Sequence, residues 1–231
     1  MKTLFLFASL TLLSNAASAQ FSSAGISARA GLSYISLKTP ATNATNQSDP
    51  LFCFQSGVFT EYKLSKHASL LAEFNFLVQR GKVTANFTNI VPGDTNSYGT
   101  DIIITRLDYL SFPVCFGYSI RHFTMKGGIQ AGYAVRQRAF ENGIAYSGDS
   151  TITFSNTFTN KLVNNFDFGI CIGAQEDISN RIFVSVSAYQ SLRNIVIDKS
   201  PGFVRKNSNV VVGLGYRIIK VNNKEGNHKK A

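Results

Sequence analysis

Between residues 166 and 189, hydrophobic and polar positions alternate in two short runs. Phe166, Phe168, Ile170, Ile172 and Ala174 interleave with Asp167, Gly169, Cys171, Gly173 and Gln175. Ile182, Val184, Val186 and Ala188 then interleave with Arg181, Phe183, Ser185 and Ser187. A period of two assigns each set to one face of a strand. The Glu-Asp-Ile-Ser-Asn stretch between the runs is turn chemistry, so the segment is a β-hairpin. The period alone leaves open which medium each face meets. A soluble sheet turns apolar residues to a core, whereas a membrane barrel turns them outward to lipid and keeps small or polar residues inside.

The same pattern recurs along the chain. Strands are expected at about residues 24–36, 51–63, 68–80, 102–118, 124–138 and 208–219, in addition to the two of the hairpin. The fourth has the least regular phase, because Arg106 and Asp108 share parity with Leu110 and Phe112. Pro113 cannot donate to a ladder, which predicts a bulge and a switch of faces near Ser-Phe-Pro. Short corners such as Leu-Ser-Lys-His-Ala and Ser-Ile-Arg-His-Phe alternate with long polar segments, so long connections gather at one end. The fold class expected is all-β: an eight-stranded antiparallel up-and-down transmembrane β-barrel with short periplasmic turns and four longer extracellular loops.

A lipocalin-like soluble barrel is the structural rival. It would carry an evenly charged outer face. Here the less apolar face is mostly Gly, Ser and Gln with a few nearly balanced charges: Arg29, Arg106, Lys126, Arg136 and Arg217 against Glu61, Glu73, Asp108 and Asp167. A closed interior requires such balance, since an unpaired buried charge is costly. These nine residues are the expected lumen charge network. Phe59 and Phe183 point the same way and predict a filled interior, as eight strands enclose little more than their own side chains.

The N-terminus changes the compartment. Lys2 precedes an apolar run from Leu4 to Leu13, and Ala17-Ser18-Ala19 follows. This is the pattern of a secretory signal peptide cleaved between Ala19 and Gln20, with Ala17 and Ala19 at the small-residue positions. The run is too short for a membrane helix. The domains expected are a signal peptide at 1–19, an outer-membrane barrel at 20–219 and a polar basic tail at 220–231. Charged residues make up 16% of the chain, against about a quarter in ordinary globular proteins, which suits a lipid-facing surface. The formal net charge is +10, one unit of it from Lys2. The secretory route and the lack of a recognition motif exclude nucleic acid as the partner of that charge. Cys53, Cys115 and Cys171 lie on three different expected strands without metal spacing. They read as small apolar fillers, with one disulfide as the alternative.

The sequence resembles the PorT-like outer-membrane β-barrel proteins of the Bacteroidota. The likeness is carried by FTEYKLSKHASLLAEFNFLVQRG, LDYLSFPVCFGYSIRHFTMKGGIQAGYAV, FDFGICIGAQEDIS and NVVVGLGYRI. It implies eight strands and an outer-membrane location, and for some members a link to protein secretion. The chain departs from many outer-membrane barrels by running on past Ile219, with Tyr216 as the aromatic nearest the end of the last strand.

No catalytic, cofactor-binding or metal site is expected. His67 and His122 fall in short corners and His228 in the tail, so no histidine base stands at the rim of the long loops. Ser147, Asp149 and Ser150 are polar loop residues, and the Asn-x-Ser/Thr triplets NAT, NQS and NFT read as loop composition. Tyr34, Tyr62, Tyr118, Tyr133 and Tyr216 mark interface belts. The expected partners are outer-membrane lipids and other envelope or secretion proteins, with no cofactor and no small-molecule substrate. Two roles stay open: a scaffold whose loops bind, or an accessory subunit of an envelope machine.

Overall fold

The computed structural model describes residues 20–38, 44–88, 97–148, 150–159, 163–196 and 204–221. Ala17 and Ala19 of the expected signal segment, His228 and most of the tail lie outside these residues. The described residues form nine strands: β1 Gln20–Lys38, β2 Ala44–Lys63, β3 Ala68–Thr88, β4 Tyr98–Ile120, β5 Phe123–Ser147, β6 Ser150–Phe158, β7 Phe166–Asp177, β8 Ile182–Ser191 and β9 Val204–Lys220. All pairings are antiparallel. Eight of the strands close a ring in the order β1-β2-β3-β4-β5-β7-β8-β9, and β9 pairs back onto β1. The ninth, β6, lies within the third expected loop and pairs with β5 alone, from Ala139↔Phe158 to Ser147↔Ser150.

Short turns join β2 to β3, β4 to β5 and β7 to β8. In the first, Ser65 Oγ accepts the Ala68 amide at 3.1 Å. In the third, Ser179 Oγ accepts the Ile182 amide at 3.0 Å. Each hydroxyl takes up a turn donor, which is why serine suits both sites. The β4–β5 turn has two residues between strands, and Arg121 carries a φ of 57°, a backbone region usually left to Gly or Asn.

Burial runs opposite to that of a soluble sheet. On β7, Ile170 and Ile172 are 47% and 63% exposed, whereas Asp167 and Cys171 are 3% and 6% exposed. On β1, Ile26 and Leu32 face out while Ser27, Arg29 and Ser33 are buried. Water would penalise so much apolar surface at about 25 cal/mol per Å². Lipid carries no such penalty.

The strands differ greatly in length. β7 and β8 have 12 and 10 residues, whereas β3, β4 and β5 have 21, 23 and 25. A tilted membrane strand needs roughly 9–11 residues. At ~3.3 Å per residue and the usual tilt, β8 rises roughly 25 Å, the height of the apolar band, and β4 rises about twice that. The upper halves of β3, β4 and β5, with β6 alongside, therefore stand beyond the bilayer. The alternating pattern predicts strand only to about residue 80 on β3 and 138 on β5, with loop beyond.

One β-bulge sets which side chains face inward. Asp108 pairs with Arg136 and Tyr109 with Ala134, so Val135 is an extra residue on β5. Below it Lys126 and Gln130 are buried; above it Gln137 and Ala139 are buried and Arg136 and Arg138 are exposed. The switch of faces expected near Ser-Phe-Pro on the fourth strand lies instead on the fifth. Pro113 stays in phase with its inward neighbours Ser111 and Cys115.

Candidate functional site

The interior is filled at three levels. Nearest the short turns, Phe59 and Phe183 meet edge to face with centroids 5.3 Å apart. The Arg217 guanidinium lies 5.0 Å from the Phe183 ring centre and pairs with Asp177 at 2.7 Å. Gly215 lies beneath the Phe183 ring, where an added Cβ would come within 1.9 Å of a ring carbon. Glu61 accepts from Ser23 Oγ at 3.0 Å.

At mid-height Glu73 is held from three sides. Arg29 binds it bidentately at 2.6 and 2.8 Å, Lys126 at 3.3 Å, and Asn75 Nδ2 donates at 3.0 Å. All three charged side chains are at least nine-tenths buried. Beside them Cys115 and Cys171 stand on either side of Gly128, with their sulfurs 3.1 Å apart as free thiols. An added Cβ at Gly128 would come within 2.0 Å of the Val114 carbonyl oxygen, so the strand between the thiols packs against β4 without a side chain there. The cavity beside Arg29 and Cys171 is about 20 Å³, room for a single water.

Toward the long loops, Asp167 accepts from Ser191 Oγ at 2.6 Å, Asn207 Nδ2 at 3.1 Å and the Phe168 amide at 2.8 Å. Above it sits an apolar plug of Ile35, Leu77, Leu107, Tyr109, Ala134, Val163 and Ile195. Val163 and Ile195 come from two connecting segments that fold into the mouth, where Val163 bridges to Val196. Gln137 fixes this arrangement: its Nε2 donates to the Val163 carbonyl and its Oε1 accepts the Val163 amide. Val163 and Ile195 are isolated apolar residues in polar segments and carry no period that would predict their place in this plug.

Of the nine expected lumen charges, Arg29, Glu73 and Lys126 come together. Arg217 pairs with Asp177, which lies at a strand end outside the expected network. Glu61 and Asp167 meet hydroxyl and amide groups, with no ion-pair cation among the described residues. Arg106 and Arg136 face away from the lumen, against expectation. Arg106 binds Asp108 at 2.8 Å along one strand, on the parity of outward Leu110 and Phe112; the Arg106 side chain is 38% exposed there, whereas that of Asp108 is buried at 3%, and Arg136 faces outward beside them. The Val135 bulge causes the last reversal; the shared parity with Leu110 and Phe112 already signalled the first.

On the projecting sheet, Asp101 lies against Glu141. Burial, then the hydrogen bond and charge of Glu141, push Asp101 up to about 7. His67 lies at the short-turn end, with its Nδ1 3.1 Å from the Ser119 carbonyl, and His122 is in the β4–β5 turn. Ser147 and Ser150 flank the β5–β6 turn; Asp149 lies outside the described residues. No group of three metal-ligating side chains occurs among the described residues.

A closed antiparallel ring with apolar side chains outside and paired charges within defines an outer-membrane β-barrel. The chain belongs to the family of outer membrane protein beta-barrel domains, whose model matches residues 15–196. No curated protein matches it in sequence. Among solved structures it is similar to Ail, the attachment invasion locus protein of Yersinia pestis, in complex with the heparin analogue sucrose octasulfate. The identity is 14%, the match covers 84% of this chain and 99% of that one, and the TM-score is 0.41. Neisserial surface protein A matches at 9% identity over 86% and 99%, with a TM-score of 0.36. The outer membrane protease OmpT of Escherichia coli matches at 8% identity over 86% and 98%, also at 0.36.

Proposed function

We propose that the protein is a closed, non-enzymatic outer-membrane scaffold that presents its projecting sheet, the upper β3, β4 and β5 with β6, as a binding surface outside the cell. One observation carries this reading: about half of β4 and β5 stands above the apolar band, while the interior below is filled by the Glu73 cluster and the apolar plug. A transport role would require an open path, and a barrel without an outer partner would need no more than the length of β8. The histidines at the short-turn end sit away from that surface. Export through a signal peptide cleaved before Gln20 belongs to the same reading, and N-terminal sequencing of envelope material should begin at Gln20.

The test is site-specific photo-crosslinking in intact envelopes. A crosslinker at Thr153 on β6 should capture a partner, and one at Lys66 in the β2–β3 turn should not. Capture at Lys66 alone would replace the scaffold reading with the accessory role in an envelope or secretion machine implied by the PorT-like resemblance. In planar bilayers the monomer should give no stable conductance. Reproducible ohmic steps would overturn the closed interior.

A further inference from the structure

Arg80, Arg106 and Arg138 are directly opposite one another across three strands, Arg80↔Arg106 between β3 and β4 and Arg106↔Arg138 between β4 and β5. All three face outward. Arg136 joins them opposite Asp108. The row lies just above the apolar band: the next outward residues toward the short turns are Val78 on β3, Leu110 after Asp108 on β4, and Tyr133 and Val135 on β5. Like charges directly opposite each other destabilise a sheet. Asp108, bound to Arg106, is the one carboxylate paired to these four guanidiniums among the described residues. On β1 and β7 the apolar run ends instead in Tyr34 and Phe166. The opposed guanidiniums thus form an arc over three strands, and the Arg193 guanidinium lies beyond it, 5.5 Å from the Phe166 ring centre.

The wall is notched beside this arc. Pairing of β5 with β7 ends at Tyr133↔Phe166, and its pairing with β6 begins at Ala139↔Phe158. Among the described residues no strand pairs with 135–138 on that side; the Ala134 amide donates to the Asn165 carbonyl at 2.7 Å and the Gln137 side chain holds Val163. The resulting cleft of about 460 Å³ is bordered by Val135, Arg136, Arg138, Thr159 and Asn165. An apolar floor, two exposed guanidiniums and side-chain amide and hydroxyl groups form an amphipathic seat at the level of lipid headgroups. Guanidinium forks match phosphate oxygens bidentately.

We infer that this arc and cleft bind the phosphate groups of an outer-leaflet glycolipid, whose acyl chains lie along the apolar band below. The assignment rests on the orientation proposed above, with the long-loop end outside. Phosphate recognition itself can be measured in micelles, where orientation plays no part.

The full chain, folded in detergent, would be titrated by native mass spectrometry with diphosphorylated lipid A and with the same lipid stripped of phosphate. The phosphorylated form should be retained and the stripped form lost. The double variant Arg80→Ser/Arg138→Ser should bind roughly 30-fold more weakly, at about a factor of five per interfacial cation. Its gel mobility before and after heating should match wild type, because removing opposed like charges costs the fold nothing. Lys206→Ser, on β9, should bind as wild type does. Equal retention of both lipids, unchanged binding by the double variant, an equal loss with Lys206→Ser, or displacement by millimolar inorganic phosphate would overturn the assignment. Protease shaving of intact cells separately tests orientation: cleavage confined to the short turns would move the site to the inner leaflet while leaving phosphate recognition standing.

Discussion

The wall of this barrel is short on one side and tall on the other, and the two sides obey different rules. Along β7 and β8 every outward position lies within lipid reach, and alternation between apolar and small or polar residues is nearly strict. Along β3, β4 and β5 the same alternation holds only in the lower half. Above Arg80, Arg106 and Arg138 the outward residues mix Thr84, Asn86 and Asn142 with Ile104 and Phe140. Water on that side tolerates either kind. Membrane strands are thus specified face by face by lipid, whereas the projecting strands are held by their ladders and by the length of the hairpin beneath them.

The largest expected effect tests the interior of the lower ring. Glu73→Ala leaves Arg29 and Lys126 buried without a counter-charge and should cost about 3–5 kcal/mol, read as a lower urea midpoint for unfolding from lipid vesicles. An unchanged midpoint would mean that the interior is wet at mid-height. Next, Ile170→Arg on the short side should cost roughly 2–4 kcal/mol in the same assay. Ile144→Arg, on an equally apolar outward position of the tall side, should change stability by no more than about 0.5 kcal/mol. Equal penalties at both sites would place the tall sheet in the membrane as well. Asp167→Asn should be milder than either costly change, within about 1 kcal/mol, because its partners are hydroxyl and amide groups and no buried cation is orphaned.

The smallest effect depends on pH. Folding raises the Asp101 carboxyl from the usual value near 4 to about 7. Across that interval the folded sheet binds a proton that the unfolded chain has released. The Asp101–Glu141 contact is therefore firmest at low pH and loosens as pH rises through about 7. Amide exchange in upper β4 and β5 should be slower at pH 5 than at pH 8 after correction for intrinsic rates, and Asp101→Asn should remove the difference. No change at β7 or β8 is expected. A matching change there would assign the effect to the whole barrel.

What was legible in the sequence follows the same division. The inverted faces could be read because lipid permits little else at Ile170, Ile172, Leu32 or Phe116, and the corners because Ser65 and Ser179 supply turn chemistry. The interior triad was legible as a set of inward charges, although its pairing was not: parity gives the face, and the geometry of closure decides which charges meet. Arg136 was misplaced because one extra residue at Val135 reverses parity without changing composition. The pattern predicts loops at β6 and at the tops of β2, β3 and β9; β6 is exposed along its whole length and needs no alternating signature, whereas Val83, Ala85 and Asn207 are buried on the inward face of short extensions. Val163 and Ile195 left no pattern at all.

The closing seam has a kinetic meaning. Three hairpins, β2–β3, β4–β5 and β7–β8, join neighbours through turns of a few residues and can form as soon as their own strands exist. The β1–β9 seam instead pairs Ser23 with Lys220 and Leu32 with Val210, bringing together residues from opposite ends of the sequence. Loop closure over such a separation is slow compared with hairpin formation. Until β9 arrives, β1 and β8 each carry an unsatisfied ladder edge that hydrocarbon cannot solvate. The chain must therefore cross into the bilayer as an almost complete cylinder, and the last event of folding is the meeting of its first strand with its last.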